Sequence, residues 1–228
     1  MLIVVQCDHE VPAGSYADDL AAERIKFMTC RAYAGDLLPA LPSVQAVIVL
    51  GGAMGVHDTE AYPFLISLKE FIGKIVTRRV PYLGICLGGQ LLADVLGGRV
   101  VAGAHGERGM LPVNLTPAGI QDPLFSGISS EFVSFQWHND SFALPERGVL
   151  LASSPSCPNQ AFRLGSCAYG LQFHPEVTAE IVACWAGWVK ETASGVDRFL
   201  ADFAAANGAY RATSRRILQN FLSIAGMA

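Results

Sequence analysis

A cysteine between two glycines is the residue of this chain best suited to nucleophilic chemistry. Cys86 follows an apolar run at 80–85 that is typical of a strand, and the apolar residues at 91–96 keep helical spacing. Gly84 and Gly88 stand two positions before and after it, the spacing of a tight strand-to-helix turn that exposes a nucleophile. Amides at the start of such a helix favour the thiolate. The same pattern also fits a buried cysteine beside a glycine-rich turn, so other residues must decide.

A cysteine nucleophile needs a base that a third group orients, and His174 is the histidine that best meets this need. It follows a predicted strand at 168–173, and Glu176, two positions on, faces the same way in an extended chain. Pro175 stiffens the link between them. A carboxylate in this position would fix the histidine tautomer and stabilise its charged form. Taken alone, the H-P-E segment also fits a turn with a surface ion pair.

A glycine-rich segment at 51–55 supplies main-chain amides. It follows the apolar run 46–50, which predicts a position at the carboxyl edge of a parallel sheet, where such folds place their sites. These amides, with that of Leu87, are suited to binding a developing oxyanion. A dinucleotide-binding loop is the rival interpretation, although G-x-G-x-x-G is absent. No Walker motif, H-E-x-x-H or metal-ligand cluster appears in the sequence, so neither a cofactor nor a metal is predicted.

The composition predicts a soluble globular protein. The chain has 228 residues, of which 51% are hydrophobic and 16% charged, enough to bury a large core. A net charge of −4 gives no electrostatic reason to expect nucleic acid or an anionic membrane as a partner. No apolar run is long enough to span a membrane, no signal-peptide pattern starts the chain, and the six cysteines lack a C-x-x-C pair. We therefore expect a cytoplasmic protein in a reducing compartment.

Strand-like and helical patterns alternate up to Val100, which predicts an α/β fold with a largely parallel central sheet flanked by helices. The apolar runs 2–6 and 46–50 predict buried strands. Residues 15–33 predict a loosely patterned helix capped by its first residue, a serine, and residues 63–77 predict a second helix.

The second half of the sequence has a different pattern. Short strand-like runs without long helices follow one another at 100–173, which predicts antiparallel strands added to the sheet. Beyond Thr178, aromatic and aliphatic stripes predict C-terminal helices. We expect one domain at 1–190 and a helical extension at 191–228 packed on it.

Three blocks stand in order along the chain: V-L-G-G-A-M-G-V-H-D at 49–58, P-Y-L-G-I-C-L-G-G-Q at 81–90 and G-L-Q-F-H-P-E-V-T at 170–178. In sequence and spacing they resemble the class I glutamine amidotransferases, which use a Cys-His-Glu triad. A fourth block, F-Q-W-H-N-D at 135–140, resembles the glutaminase part of GMP synthase and its stand-alone relatives, with Asn139 in place of the usual glycine. G-E-R-G at 106–109 also resembles a stand-alone subgroup, but the sequence gives Glu107 no physical role.

The resemblance implies a three-layer, flavodoxin-like fold and the chemistry of glutamine hydrolysis. Cys86 would attack the side-chain carboxamide of glutamine, His174 would protonate the departing ammonia, and water would hydrolyse the glutamyl thioester. Glu176 would orient His174, and Gly52 with Leu87 would form the oxyanion hole. The residues expected to hold glutamine are Gln90, His138, Asn139 and Asp140.

The destination of the nitrogen stays open, and three functions compete. Members of the family usually pass ammonia to a synthase domain or subunit, and this chain has no phosphate loop with which to activate an acceptor. It would be a glutaminase subunit feeding a separate synthase, a stand-alone hydrolase of glutamine or another γ-glutamyl compound, or a catalytically idle regulatory module. The intact Cys-His-Glu set disfavours the third. The aromatic C-terminal helices leave room for a homodimer contact.

Overall fold

A mixed sheet of nine strands runs through the protein, and the computed structural model describes residues 1–227. The strands are β1 (Leu2–Gln6), β2 (Phe27–Arg31), β3 (Ala46–Val49), β4 (Tyr82–Ile85), β5 (Val100–Val101), β6 (Glu107–Leu115), β7 (Glu131–His138), β8 (Ser141–Phe142), β9 (Val149–Ser153), β10 (Ala161–Leu164) and β11 (Ala168–Leu171). The helices are α1 (Ser15–Ala22), α2 (Phe64–Thr77), α3 (Leu87–Val95), α4 (Pro117–Ile120), α5 (Ala179–Trp188) and α6 (Val196–Ile224). Neighbours in the nine-stranded sheet follow the order β2-β1-β3-β4-β11-β10-β9-β6-β7, and β5 pairs with β8 separately.

The sheet has a parallel half and an antiparallel half. Strands β2, β1, β3, β4 and β11 pair in parallel, and β10, β9, β6 and β7 continue the sheet in antiparallel pairs. In the β4–β11 pair, Ile85 lies opposite Leu171. Both strands therefore end at the same carboxyl edge of the sheet. Cys86 directly follows β4, and His174 lies three residues after the end of β11.

Both faces of the four inner parallel strands, β1, β3, β4 and β11, are buried, as their continuous apolar sequences predict. Along β1, Leu2 and Val4 belong to one hydrophobic cluster, whereas Ile3 and Val5 belong to another. Helix α6 adds side chains to the first cluster, and α2 and α3 add theirs to the second. Helices thus cover both sides of the sheet, which confirms the predicted α/β class and its added antiparallel strands.

The predicted helix at 15–33 is wrong in its end and in its cap. Helix α1 stops at Ala22, Arg24 takes a positive φ of 56°, and the chain then enters β2, which pairs in parallel with β1. The hydroxyl of Ser15 does not cap the helix. It donates a hydrogen bond to the main-chain oxygen of Glu176, 3.0 Å away, so its role is tertiary.

The C-terminal stripes at 196–203 and 217–222 lie on one continuous helix, α6. Its buried residues enter two hydrophobic clusters that also contain strands of the sheet. The division into 1–190 and 191–228 stays a prediction, and its last position, Ala228, lies outside the described residues. Within residues 1–227, no helix combines the length and the hydropathy needed to cross a membrane.

Candidate active site

Cys86 occupies the turn between β4 and α3 in a strained conformation. Its φ is 49° and its ψ is −107°, values that a non-glycine residue adopts only when its surroundings impose them. A Cβ at Gly84 would lie 2.3 Å from the oxygen of Gly88, and a Cβ at Gly88 would lie 2.1 Å from the oxygen of Val49. The flanking glycines are therefore required sterically, as the predicted turn demands.

His174 and Glu176 form a buried pair beside this turn. The imidazole Nδ1 and the carboxylate Oε1 lie 2.7 Å apart, and both side chains are almost fully buried. Burial disfavours the charged imidazole, but the charges of Glu176 and Cys86 and their hydrogen bonds to the ring outweigh it. Together they raise the pKa of His174 from 6.5 to about 10. The pair is thus arranged to hold a proton close to the sulfur.

Gly51 lies beside both the cysteine and the histidine. A Cβ at this position would lie 3.0 Å from Cε1 of His174 and 3.6 Å from Cβ of Cys86, so a side chain there would crowd both residues. On the other side, the indole of Trp185 meets the imidazole edge to face, with ring centroids 4.8 Å apart. Its Nε1 donates to the oxygen of Glu10, which fixes the ring. In the sequence, Trp185 belongs to one of the aromatic stripes that predict the C-terminal helices.

A pocket of about 320 Å³ opens onto these groups. Seven of the nine predicted site residues line it: Gly52, Cys86, Gln90, His138, Asn139, Asp140 and His174. The other two, Leu87 and Glu176, are buried directly behind Cys86 and His174. Trp188, 52% exposed, lies at the same pocket together with Arg108. The fold therefore brings the predicted residues from four separate segments into one cavity.

The two predicted oxyanion amides lie on residues that are close in space. A Cβ at Gly52 would lie 2.9 Å from Cδ2 of Leu87. Leu87 is the first residue of α3, where a main-chain N–H has no acceptor within the helix. The glycine-rich loop is held by two carboxylates: Asp8 accepts from the amide of Ala53 at 3.1 Å, and Asp58 accepts from the amide of Gly55 at 2.7 Å.

Comparison with known proteins identifies the family. The family model described as Glutamine amidotransferase class-I matches residues 26–181. The chain belongs to this family.

Individual relatives agree with this assignment. The glutamine amidotransferase-like protein YfeJ of Salmonella typhimurium is 37% identical over 156 residues, which cover 67% of this chain and 65% of YfeJ. The GMP synthase [glutamine-hydrolyzing] of Porphyromonas gingivalis is 36% identical over 169 residues, 72% of this chain and 32% of the synthase. The chain thus spans less than two thirds of these curated relatives. A crystal structure of a glutamine amidotransferase from Thermotoga maritima superimposes with a TM-score of 0.88 at 29% identity, covering 97% of each chain.

The predicted substrate-binding residues contact one another and their neighbours. Gln90 Nε2 donates to the main-chain oxygen of Asp140 and to Oε1 of Gln172, both at 3.2 Å. Asn139 Oδ1 accepts from Arg108 at 3.2 Å, and Asp140 Oδ1 accepts from the amide of a loop glycine at 3.0 Å. These bonds fix the segment that borders the pocket, and Gln172 is a contact that the sequence did not predict.

Glu107, for which the sequence gave no role, is the centre of a buried polar network. Its carboxylate accepts hydrogen bonds from four side chains: Ser154 and Ser156 at 2.6 Å, His138 at 3.1 Å, and Gln160. Burial works against its charged form, but hydrogen bonds from His138 and the two serines outweigh it, so the pKa of Glu107 is lowered. A second buried Glu–His pair therefore lies beside the pocket.

Glu107, His138 and Cys157 each offer a potential metal-ligand atom within 4.8 Å of the others. The donor set does not suit a cation, because both carboxylate oxygens already accept hydrogen bonds. Burial raises the pKa of the Cys157 thiol, which opposes the thiolate that a metal would bind. We interpret the cluster as a hydrogen-bond network.

Proposed function

We propose that this protein hydrolyses the side-chain amide of glutamine to glutamate and ammonia through a thioester on Cys86. The observation that carries the proposal is the meeting of a strained, glycine-flanked cysteine and a buried His–Glu pair at one pocket. Membership of the class I amidotransferases supports the same reaction.

The attack begins from the thiolate of Cys86 and the imidazolium of His174. Sulfur forms a bond to the side-chain carbonyl carbon of glutamine, and the amides of Gly52 and Leu87 bind the resulting oxyanion. His174 donates its proton to the departing nitrogen, the C–N bond breaks, and ammonia leaves. Water then attacks the thioester and gives a proton to His174, the C–S bond breaks, and glutamate is released. Glu176 holds the ring through Nδ1 in both halves.

The purified protein alone should release ammonia from glutamine. Cys86→Ala should abolish the release and leave the circular dichroism spectrum unchanged. Cys167→Ala is the control and should keep the wild-type rate, because Cys167 is a partly buried cysteine whose thiol only donates a hydrogen bond to a main-chain oxygen. Turnover that persists in Cys86→Ala would exclude this nucleophile. A protein that releases no ammonia by itself but does so with a partner synthase would be a glutaminase subunit. The match to part of a glutamine-hydrolyzing GMP synthase favours this outcome.

A stand-alone γ-glutamyl hydrolase is the second candidate. Trp188 is half exposed beside Arg108 at the pocket, an apolar surface that free ammonia does not require but an amine substituent would contact. Faster cleavage of γ-glutamyl peptides than of glutamine would favour this function. Faster cleavage of glutamine would favour the amidotransferase role.

A further inference from the structure

The amide of Gln172 contacts the nucleophile directly. Gln172 is fully buried at the end of β11, and its Nε2 lies 3.6 Å from Sγ of Cys86. Sulfur is larger than oxygen, so this separation is that of an N–H donor meeting a sulfur acceptor. The main-chain N–H of Gln172 donates to the oxygen of Gln160 at 2.8 Å, which anchors its backbone.

The orientation of this amide is set by its neighbour. Gln90 Nε2 donates to Oε1 of Gln172 at 3.2 Å, so the nitrogen of Gln172 must be the atom that faces the sulfur. Gln90 has the same constraint, because its nitrogen also faces the main-chain oxygen of Asp140, which can only accept. Each amide in the series therefore has one consistent orientation.

The series begins at the buried Glu107 network. The oxygen of Asp140 also faces Nδ1 of His138 at 3.0 Å, and Nε2 of the same ring faces Glu107 at 3.1 Å. Both ring nitrogens thus meet acceptors, which holds the ring and the carbonyl in place. A continuous series of polar contacts within hydrogen-bond distance runs from Glu107 through His138, the Asp140 carbonyl, Gln90 and Gln172 to the sulfur.

We propose that Gln172 is a catalytic hydrogen-bond donor that stabilises the Cys86 thiolate, and that Gln90 is the positioning residue that aims it. The inference rests on the proposed function, in which Cys86 is the nucleophile. An N–H donor favours the charged sulfur of the resting enzyme and of the thiolate that departs when the thioester is hydrolysed. Its action is separate from that of the oxyanion amides, which bind the substrate oxygen.

Alkylation of Cys86 by iodoacetamide tests the proposal without any substrate. The rate is measured across pH by mass spectrometry of the peptide that contains Cys86. Gln172→Met keeps the volume and removes the donor, so the midpoint of the alkylation profile should rise by about one pH unit. Gln172→Glu removes the donor and adds a carboxylate, so its midpoint should rise further.

Gln219→Met is the control, because Gln219 lies in helix α6 and its amide nitrogen donates to Glu23 rather than to sulfur. Its midpoint should equal that of the wild type. Should Gln172→Met fail to fold, Gln90→Met tests the same chain, since Gln172 loses its orienting partner and the midpoint should rise by a smaller amount. Wild-type midpoints in the folded Gln172 and Gln90 variants would overturn the inference.

Ammonia release from glutamine separates this inference from the proposed function. Turnover by the wild type with an unshifted Gln172→Met midpoint would overturn the inference alone. A shifted midpoint in a protein that releases no ammonia from glutamine, either alone or with a partner synthase, would leave the contact with sulfur standing and overturn the proposed function.

Discussion

The phenol of Tyr210 donates a hydrogen bond to the main-chain oxygen of His174 at 3.0 Å, which ties helix α6 to the His174–Glu176 pair. The same hydroxyl lies 3.4 Å from the oxygen of Val177. Ser214, one turn further along α6, donates to the oxygen of Pro175, and Ser15 donates to that of Glu176. Each carbonyl from 174 to 177 thus lies within hydrogen-bond distance of a side-chain hydroxyl. Three of the four are contacted from α6, a helix that lies beyond the matched family region at 26–181.

We expect Tyr210→Phe to reduce glutamine turnover. The substitution keeps the ring and removes the hydroxyl that donates to the oxygen of His174 and also lies near that of Val177, which costs about 1–2 kcal/mol of unfolding free energy. If the hydrogen bond from Tyr210 positions the imidazole of His174, kcat should fall about tenfold with KM nearly unchanged, as expected for an interaction that acts in the transition state. Steady-state kinetics and thermal melting together measure both effects.

Tyr62→Phe serves as the control, because Tyr62 is a partly exposed residue ahead of α2. It should change neither turnover nor melting. A Tyr210→Phe protein with a lower melting temperature and wild-type kcat would mean that the hydrogen bond from Tyr210 only stabilises the fold.

Glu176→Gln should lower kcat strongly while KM for glutamine stays close to that of the wild type. The amide keeps an oxygen near Nδ1 of His174 but removes the negative charge that stabilises the imidazolium. A loss on the order of 10²–10⁴-fold is the size expected when a histidine loses its orienting carboxylate. Glu180→Gln, at an exposed position in α5, should retain the wild-type rate; a near-normal rate in Glu176→Gln as well would reduce that carboxylate to a structural role.

Stability should fall as pH rises between 6.5 and 10. The pKa of His174 is raised in the folded protein, so the folded state binds the proton more tightly than the unfolded chain. This contribution is complete below 6.5 and is lost as pH rises through about 10. Urea unfolding at a series of pH values across this window measures the slope for wild type and for Glu176→Gln.

The difference between those two slopes isolates the histidine from other groups that titrate in the same range. Glu176→Gln removes a main cause of the raised pKa of His174, so its unfolding free energy should fall less steeply with pH. Parallel slopes would mean that Glu176 does not hold the proton on the ring.

Local sequence patterns predicted the elements that position the candidate active site. Glycine spacing predicts the turn around Cys86, because close backbone packing leaves no room for side chains there. Apolar runs predict the strand before this turn and the strand leading to His174, because burial on both faces restricts the residue types allowed. The edge strand β2 was missed, since its sequence F-M-T-C-R is only partly buried and lacks a clean alternation. Local propensity did not reveal that it pairs with β1.

The supporting contacts depend on long-range packing and could not be predicted. Tyr210 reaches His174 across 36 positions, and Ser15 reaches Glu176 across 161. The role of Glu107 required the serines and the glutamine that follow it by about fifty positions to converge on one carboxylate. A sequence pattern identifies a reactive residue type, whereas its hydrogen-bond partners follow only from the assembled fold.

Gly88→Ala should destabilise the protein and remove activity even though Cys86 is retained. The added methyl group would lie 2.1 Å from the oxygen of Val49, a backbone atom of the neighbouring strand that cannot move aside without distorting the sheet. The turn and its helix must shift, which costs about 2 kcal/mol or more and displaces the sulfur from His174. Gly208→Ala, in the open middle of α6 with nothing within 4 Å of the added Cβ, should instead stabilise the protein by about 0.5–1 kcal/mol. Chemical unfolding and ammonia release measured on both variants check the contrast, and an active, fully stable Gly88→Ala protein would show that the turn tolerates a side chain.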